Sequence, residues 1–168
     1  MRFRWIWLAA PAIVVAAHVA YANKKQDASP LVGTWTLVAA DVQRPDGSRA
    51  HDYGDNPKGL LMIDASGRYS VQIFDASRPR FATGDRAKGT PDEYRAAVMG
   101  SSTHFGTITV DAANKVFVIT PEGASYPNQE GTPQKRAYEL RGDELSYKVA
   151  PRPDGSIPIS VWRRLTVD

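Results

Sequence analysis

The sequence predicts an all-β domain, about eight short strands in an antiparallel sandwich or up-and-down β-barrel. Three observations predict it. Turn signals recur at roughly ten-residue spacing, separated by runs that alternate apolar and polar residues. The first strand carries Leu31-Val32-Gly33-Thr34-Trp35, in which Gly33 lets another element pass close and Trp35 supplies a large apolar plug to the same face. The last strand carries Val161-Trp162-Arg163-Arg164-Leu165, which brings an arginine able to lie over the Trp35 ring and bond the open backbone beside it. A barrel closes when the two ends of the chain meet in this way. Gly33, Trp35 and Arg164 are therefore the expected closure residues; the alternative is that Trp35 is an ordinary core aromatic.

Bulk numbers bound the classes. The 168 residues suggest one domain, and 42% hydrophobic against 23% charged residues is enough for a packed core. The formal charge of +3 includes Arg2 and Arg4; without them 19 basic residues face 18 acidic ones. The pI of 9.2 is thus no nucleic-acid footprint, and the basic residues are scattered rather than clustered. With no cysteine, disulfides, thiolate metal sites, a cysteine nucleophile and a lipid-modified cysteine are all excluded.

In chain order, Met1-Arg2-Phe3-Arg4 is basic, Trp5 to Ala20 almost wholly apolar, and Ala20-Tyr21-Ala22 fits a small-x-small cleavage pattern. Residues 1–22 read as a cleaved signal peptide, 23–30 as a polar tether and 31–168 as the barrel domain, placed in a periplasm or secreted. The alternative, an uncleaved anchor, is weakened by Pro11, His18 and a short apolar run. Strands are expected from about Leu31 to Val42, Leu60 to Ile63 and Arg68 to Phe74, with Asp64-Ala65-Ser66-Gly67 turning the hairpin between the last two. Tyr69, Val71 and Ile73 share one face of the third strand. Thr90-Pro91-Asp92-Glu93 is a capping-box start for a short helix ending at Gly100. Further strands follow over Thr103–Val110, Val116–Thr120, Arg136–Leu140, Leu145–Val149 and Ile157–Leu165. His51 to Gly59 and Pro121 to Pro133 read as irregular loops, being rich in Gly, Asn and Pro.

Taken in order, Leu31 to Trp35, Tyr53 to Gly59, Gly67 to Gln72, Arg80 to Asp85, Thr90 to Tyr94, His104 to Thr107, Tyr126-Pro127-Asn128 with Gly131-Thr132, Arg136 and Trp162-x-Arg164 resemble the bacterial and fungal lipocalin-like domain family. The resemblance spans the whole expected domain. It implies a calycin-type β-barrel with one lid-like helix, and says little about activity.

The sequence has no nucleophile elbow, phosphate loop, dinucleotide fingerprint or zinc-protease helix. His51 and His104 lie on separate segments, too few for a metal site, and no metal or cofactor is expected. His104, on an apolar face, is the candidate general base, with Tyr126 as a second proton carrier, should the barrel be an isomerase or cyclase. Otherwise His104 is a hydrogen-bonded core residue or an outward-facing histidine. Arg136 and Tyr138 share a strand face and together suit a carboxylate; the alternative is that Arg136 faces outward or pairs with an acidic neighbour. Tyr69, Tyr94, His104, Phe105, Tyr126, Arg136 and Tyr138 are the expected ligand-binding residues, although the aromatics would equally fill a solid core. The expected partner is a small lipophilic molecule, with the helix covering the mouth. Nucleic acid is not expected, and a membrane only through an uncleaved leader. A solid barrel serving as an envelope interaction protein is the third reading.

Overall fold

The computed structural model describes residues 29–166; the expected signal peptide and most of the tether lie outside them. Nine strands follow one another: β1 (Gly33–Gln43), β2 (Arg49–His51), β3 (Lys58–Ile63), β4 (Arg68–Phe74), β5 (Ser101–Asp111), β6 (Val116–Ala124), β7 (Gln134–Arg141), β8 (Glu144–Lys148) and β9 (Ile157–Arg164). A single α-helix, α1 (Pro91–Met99), interrupts them between β4 and β5. All neighbours pair antiparallel, and β9 returns to β1 from Trp35↔Arg164 to Gln43↔Ile157. The result is a closed eight-stranded up-and-down barrel. The ninth strand, β2, adds only to the upper end of β1, at Asp41–Gln43, whereas β3 pairs with its lower end at Gly33–Thr36.

Period-two alternation decides what points inward. Tyr69, Val71 and Ile73 of β4, His104 and Ile108 of β5, Arg136 and Tyr138 of β7, and Leu145 and Tyr147 of β8 are all buried. In β1 the inward parity changes. Trp35 faces in, yet so do Ala40 and Val42, because the register slips between Leu37 and Ala39 and leaves Val38 bulged outward.

The strand expected to stop at Thr120 continues to Ala124. Pro121 lacks an N–H, but it pairs with Gly106 beside a register shift, where no ladder donor is needed, and its carbonyl accepts from Gly131 N at 2.8 Å. The short β2 arises in a stretch the sequence reads as turn and loop.

The lower end of the barrel is sealed. Leu31, Trp35, Leu145 and Trp162 are wholly covered there. The Arg164 guanidinium sits 4.0 Å above the Trp35 ring and donates to the carbonyls of Val32 (2.7 Å) and Pro30 (2.8 Å). Trp35 Nε1 in turn donates to Leu31 O at 3.1 Å. Gly33 makes this approach feasible: its φ is +141°, and a Cβ there would lie 2.6 Å from Arg164 Nη1.

The capping box forms as its spacing dictates. Thr90 Oγ1 accepts from Glu93 N at 3.3 Å, and the Glu93 carboxylate accepts from the N–H groups of Thr90 and Ala82. These backbone donors hold Glu93 below the usual carboxylate range. No residue of α1 is buried.

The clamp at the base yields a direct expectation. Arg164→Ala removes two charged hydrogen bonds and a cation–π contact and should cost about 2–3 kcal/mol. Urea melts followed by tryptophan fluorescence will show the loss. Gly33→Ala should produce a comparable loss, since it meets the same guanidinium in a strained conformation.

Candidate functional site

Above the sealed base the barrel opens towards the ends of β4, β5 and β7. Two hollows share His104, Arg136 and Tyr147 in their walls. The deeper one is about 20 Å³, room for one water-sized group, and is lined mainly by aliphatic and aromatic side chains. The upper one, at the mouth, is about 310 Å³ and mixes Tyr53, Tyr126 and Ile159 with Ser102 and Gln129. The lumen is therefore solid below and hollow above.

Arg136 stands where the two meet. It is only 6% exposed, and its guanidinium lies 5.2 Å from the centre of the Tyr147 ring. One hydrogen bond runs from Nη2 to Gln134 Oε1 at 2.7 Å; Nε has no partner at all. No carboxylate among the described residues forms an ion pair with it. A cation withdrawn from water without a counter-ion is costly.

His104 faces the same space. Its Nδ1 is 2.8 Å from the Tyr69 hydroxyl, with the two rings edge to face. Burial first, and then the Arg136 charge, push its pKa down to about 3, so the ring is neutral across physiological pH. Burial likewise raises Tyr69 well above an ordinary phenol. Within this neutral pair the Tyr69 hydroxyl has no other acceptor among the described residues. We therefore assign its proton to the bond with Nδ1, which leaves the ring proton on Nε2. A histidine held at so low a pKa is a weak base, and the proton-transfer role draws no support from this environment.

The rim is charged but compensated. Asp52 is gripped by both Nη atoms of Arg152, and Asp41 meets His51 Nδ1 at 3.0 Å. Burial, then the nearby Asp52 charge, raises Tyr53 above its ordinary value.

Of the expected ligand-binding residues, Tyr69, His104, Tyr126 and Arg136 line these hollows. Three do not. Phe105 follows an inward residue, so alternation turns it out; it is half exposed, its ring over Gly123. Tyr138 does face inward but packs on Phe117 at 6.0 Å, one inward position nearer the base than Arg136. Tyr94 staples α1 to the preceding loop instead: its hydroxyl donates to Arg86 O at 2.6 Å and accepts from Gly89 N, and its ring packs on Phe81. Nor does α1 roof the mouth, since none of its side chains lines either hollow, and Val98 and Met99 project into solvent. Tyr147 lines both hollows and is not among the expected residues. Its inward face was readable from Leu145 and Val149, but its position under Arg136 depends on cross-strand packing.

The chain matches the lipocalin-like domain family over residues 32–165 and belongs to it. Among solved structures it is similar to a mutant of the fluorescent protein UnaG, with 15% identity, 82% of this chain and 97% of that chain covered, and a TM-score of 0.37. No curated protein sequence matches it significantly.

The histidine gives a pH signature. The unfolded chain takes up a proton near pH 6.5 that the folded barrel refuses until about 3. Stability is therefore full above pH 6.5 and falls as the pH drops, with a limiting slope of about 1.4 kcal/mol per pH unit. Aspartates such as Asp64, Asp75 and Asp154 are held below their ordinary range and act only in stronger acid. In urea melts between pH 6.5 and 4.5, His104→Gln should flatten the slope that the parent protein shows.

Proposed function

We propose that this chain is an exported carrier that holds one small amphipathic molecule in the upper half of its barrel. The observation that carries this reading is Arg136, a buried guanidinium with an unpartnered Nε at the floor of a cavity of about 310 Å³. A cation placed there without a ligand only weakens the barrel; with an acidic or carbonyl group beside it, the desolvation it has already undergone becomes affinity. The mixed wall suits a ligand that is apolar along its body and polar at one end. Export rests on the leader, whose basic start, apolar run and Ala20-Tyr21-Ala22 suit cleavage before Asn23. Membership of the lipocalin-like domain family is consistent with binding a small ligand and names none.

Native mass spectrometry of the protein purified from its own cells, followed by organic extraction, tests this reading. A stoichiometric molecule is expected on a chain whose mature mass begins at Asn23, and it should be lost in Arg136→Met. That variant should also raise the urea midpoint of the empty protein, because it replaces an unpaired buried cation with an apolar side chain of similar length. A protein that comes out empty and takes up neither 1-naphthol nor 1-naphthoate overturns the carrier reading.

A further inference from the structure

The middle of the lumen is unusual in what it offers. Two N–H groups of its lining residues have no partner among the described residues, the covered Arg136 Nε–H and, by the tautomer assigned above, His104 Nε2–H. Tyr69 spends its hydroxyl proton on Nδ1, so it holds the ring rather than competing for a ligand. No side-chain carboxylate or amide oxygen lines the deeper hollow. Two acidic residues line the upper one, and both are engaged, Asp52 by Arg152 and Asp41 by His51 and Arg49. The lumen's own charge balance is thus a single uncompensated positive charge, deep, with a neutralised rim above it.

From this we propose that the ligand is a small organic monocarboxylate, its carboxylate lodged between Arg136 and the Nε2 edge of His104 and its compact aromatic or alicyclic body directed to the mouth. The inference rests on the carrier reading and narrows its ligand. Two donors, one of them a fixed cation without a counter-ion, select an anion over a neutral amide or alcohol, which would leave that charge unmet. One uncompensated cation selects one negative charge. A second carboxylate would be carried into the mouth beside Asp41 and Asp52 with no free cation to meet it. Size is set by the cavity: at interior packing density, about 310 Å³ accommodates roughly a dozen non-hydrogen atoms, well short of a long-chain fatty acid. The body would lie against Tyr53, Tyr126 and Tyr147, whose faces suit a flat ring.

Isothermal titration of the mature protein at pH 7 with four probes tests this: phenylacetate, phenylacetamide, phenylsuccinate and palmitate. Phenylacetate should bind one to one, at least tenfold tighter than each of the others. Arg136→Gln should weaken it at least tenfold, Arg136→Lys less, and His104→Phe severalfold, with near-UV circular dichroism showing each variant folded. Palmitate or phenylacetamide binding as tightly as phenylacetate overturns the monocarboxylate class while leaving a lumen carrier standing. Equal binding of phenylsuccinate overturns the single-charge argument. Phenylacetate affinity unchanged in both Arg136 variants puts the molecule elsewhere and overturns the site. No binding of any probe, to a protein that also takes up no 1-naphthol, removes the carrier reading along with it.

Discussion

The pairing of the last strand with the first is the constraint on which the rest depends. Eight antiparallel strands enclose nothing until β9 finds β1, and that seam joins residues 114 to 129 positions apart in sequence. It is secured at its lower end by one side chain. Arg164 joins three things at once: the Trp35 ring beneath it, the backbone of Pro30 and Val32 crossing the base, and its own strand. The guanidinium thus supplies donors to backbone carbonyls at the closure that the sheet ladder leaves unpaired. Gly33 is the geometric condition for it, the residue that leaves room for the guanidinium.

A barrel secured in this way can tolerate a local defect higher up. Buried Arg136 and half-buried Arg164 show opposite logic. Arg164 meets backbone oxygens, an aromatic face and, at 3.6 Å, Asp143, so its charge is used within the fold. Arg136 meets one amide oxygen and a ring, and its Nε is covered without a partner among the described residues. Proteins commonly retain such a local loss of stability where a binding surface needs it. The neutral His104 belongs to the same arrangement: it adds a polar edge to the lumen without adding a second positive charge beside the first.

Much of this was legible in the chain, for physical reasons that can be named. Alternation places Tyr69, Val71 and Ile73, or Arg136 and Tyr138, on the inner face regardless of context, since side chains in a strand can point only two ways. The same rule excludes Phe105 from the wall that holds His104, so that expectation conflicted with the pattern beside it. Alternation fixes the face but not the height: Tyr138 lies about 7 Å nearer the base than Arg136, two residues along the strand, and there it meets Phe117 rather than open space. The helix start was readable because capping is a four-residue affair, whereas the helix's resting place depends on contacts that its own residues barely make. The strand through Pro121 stayed hidden because a proline reads as a breaker until the bulge opposite it is known.

The base also determines which end of the barrel is available to the outside. The described chain enters at Ser29 beneath Trp35 and leaves past Leu165, whose N–H reaches Thr34 O at 2.8 Å. Both ends therefore depart from the sealed end, and the rim is drawn entirely from internal connections, those around Asp52, Tyr126 and Arg152 among them. Two freedoms follow. The described barrel can be joined at Ser29 or beyond Leu165 to a surface, a bead or another domain with its opening turned away from the attachment. The rim loops can also lengthen, shorten or change residues without disturbing the seam, so barrels sharing this base are free to diverge in the molecules they admit.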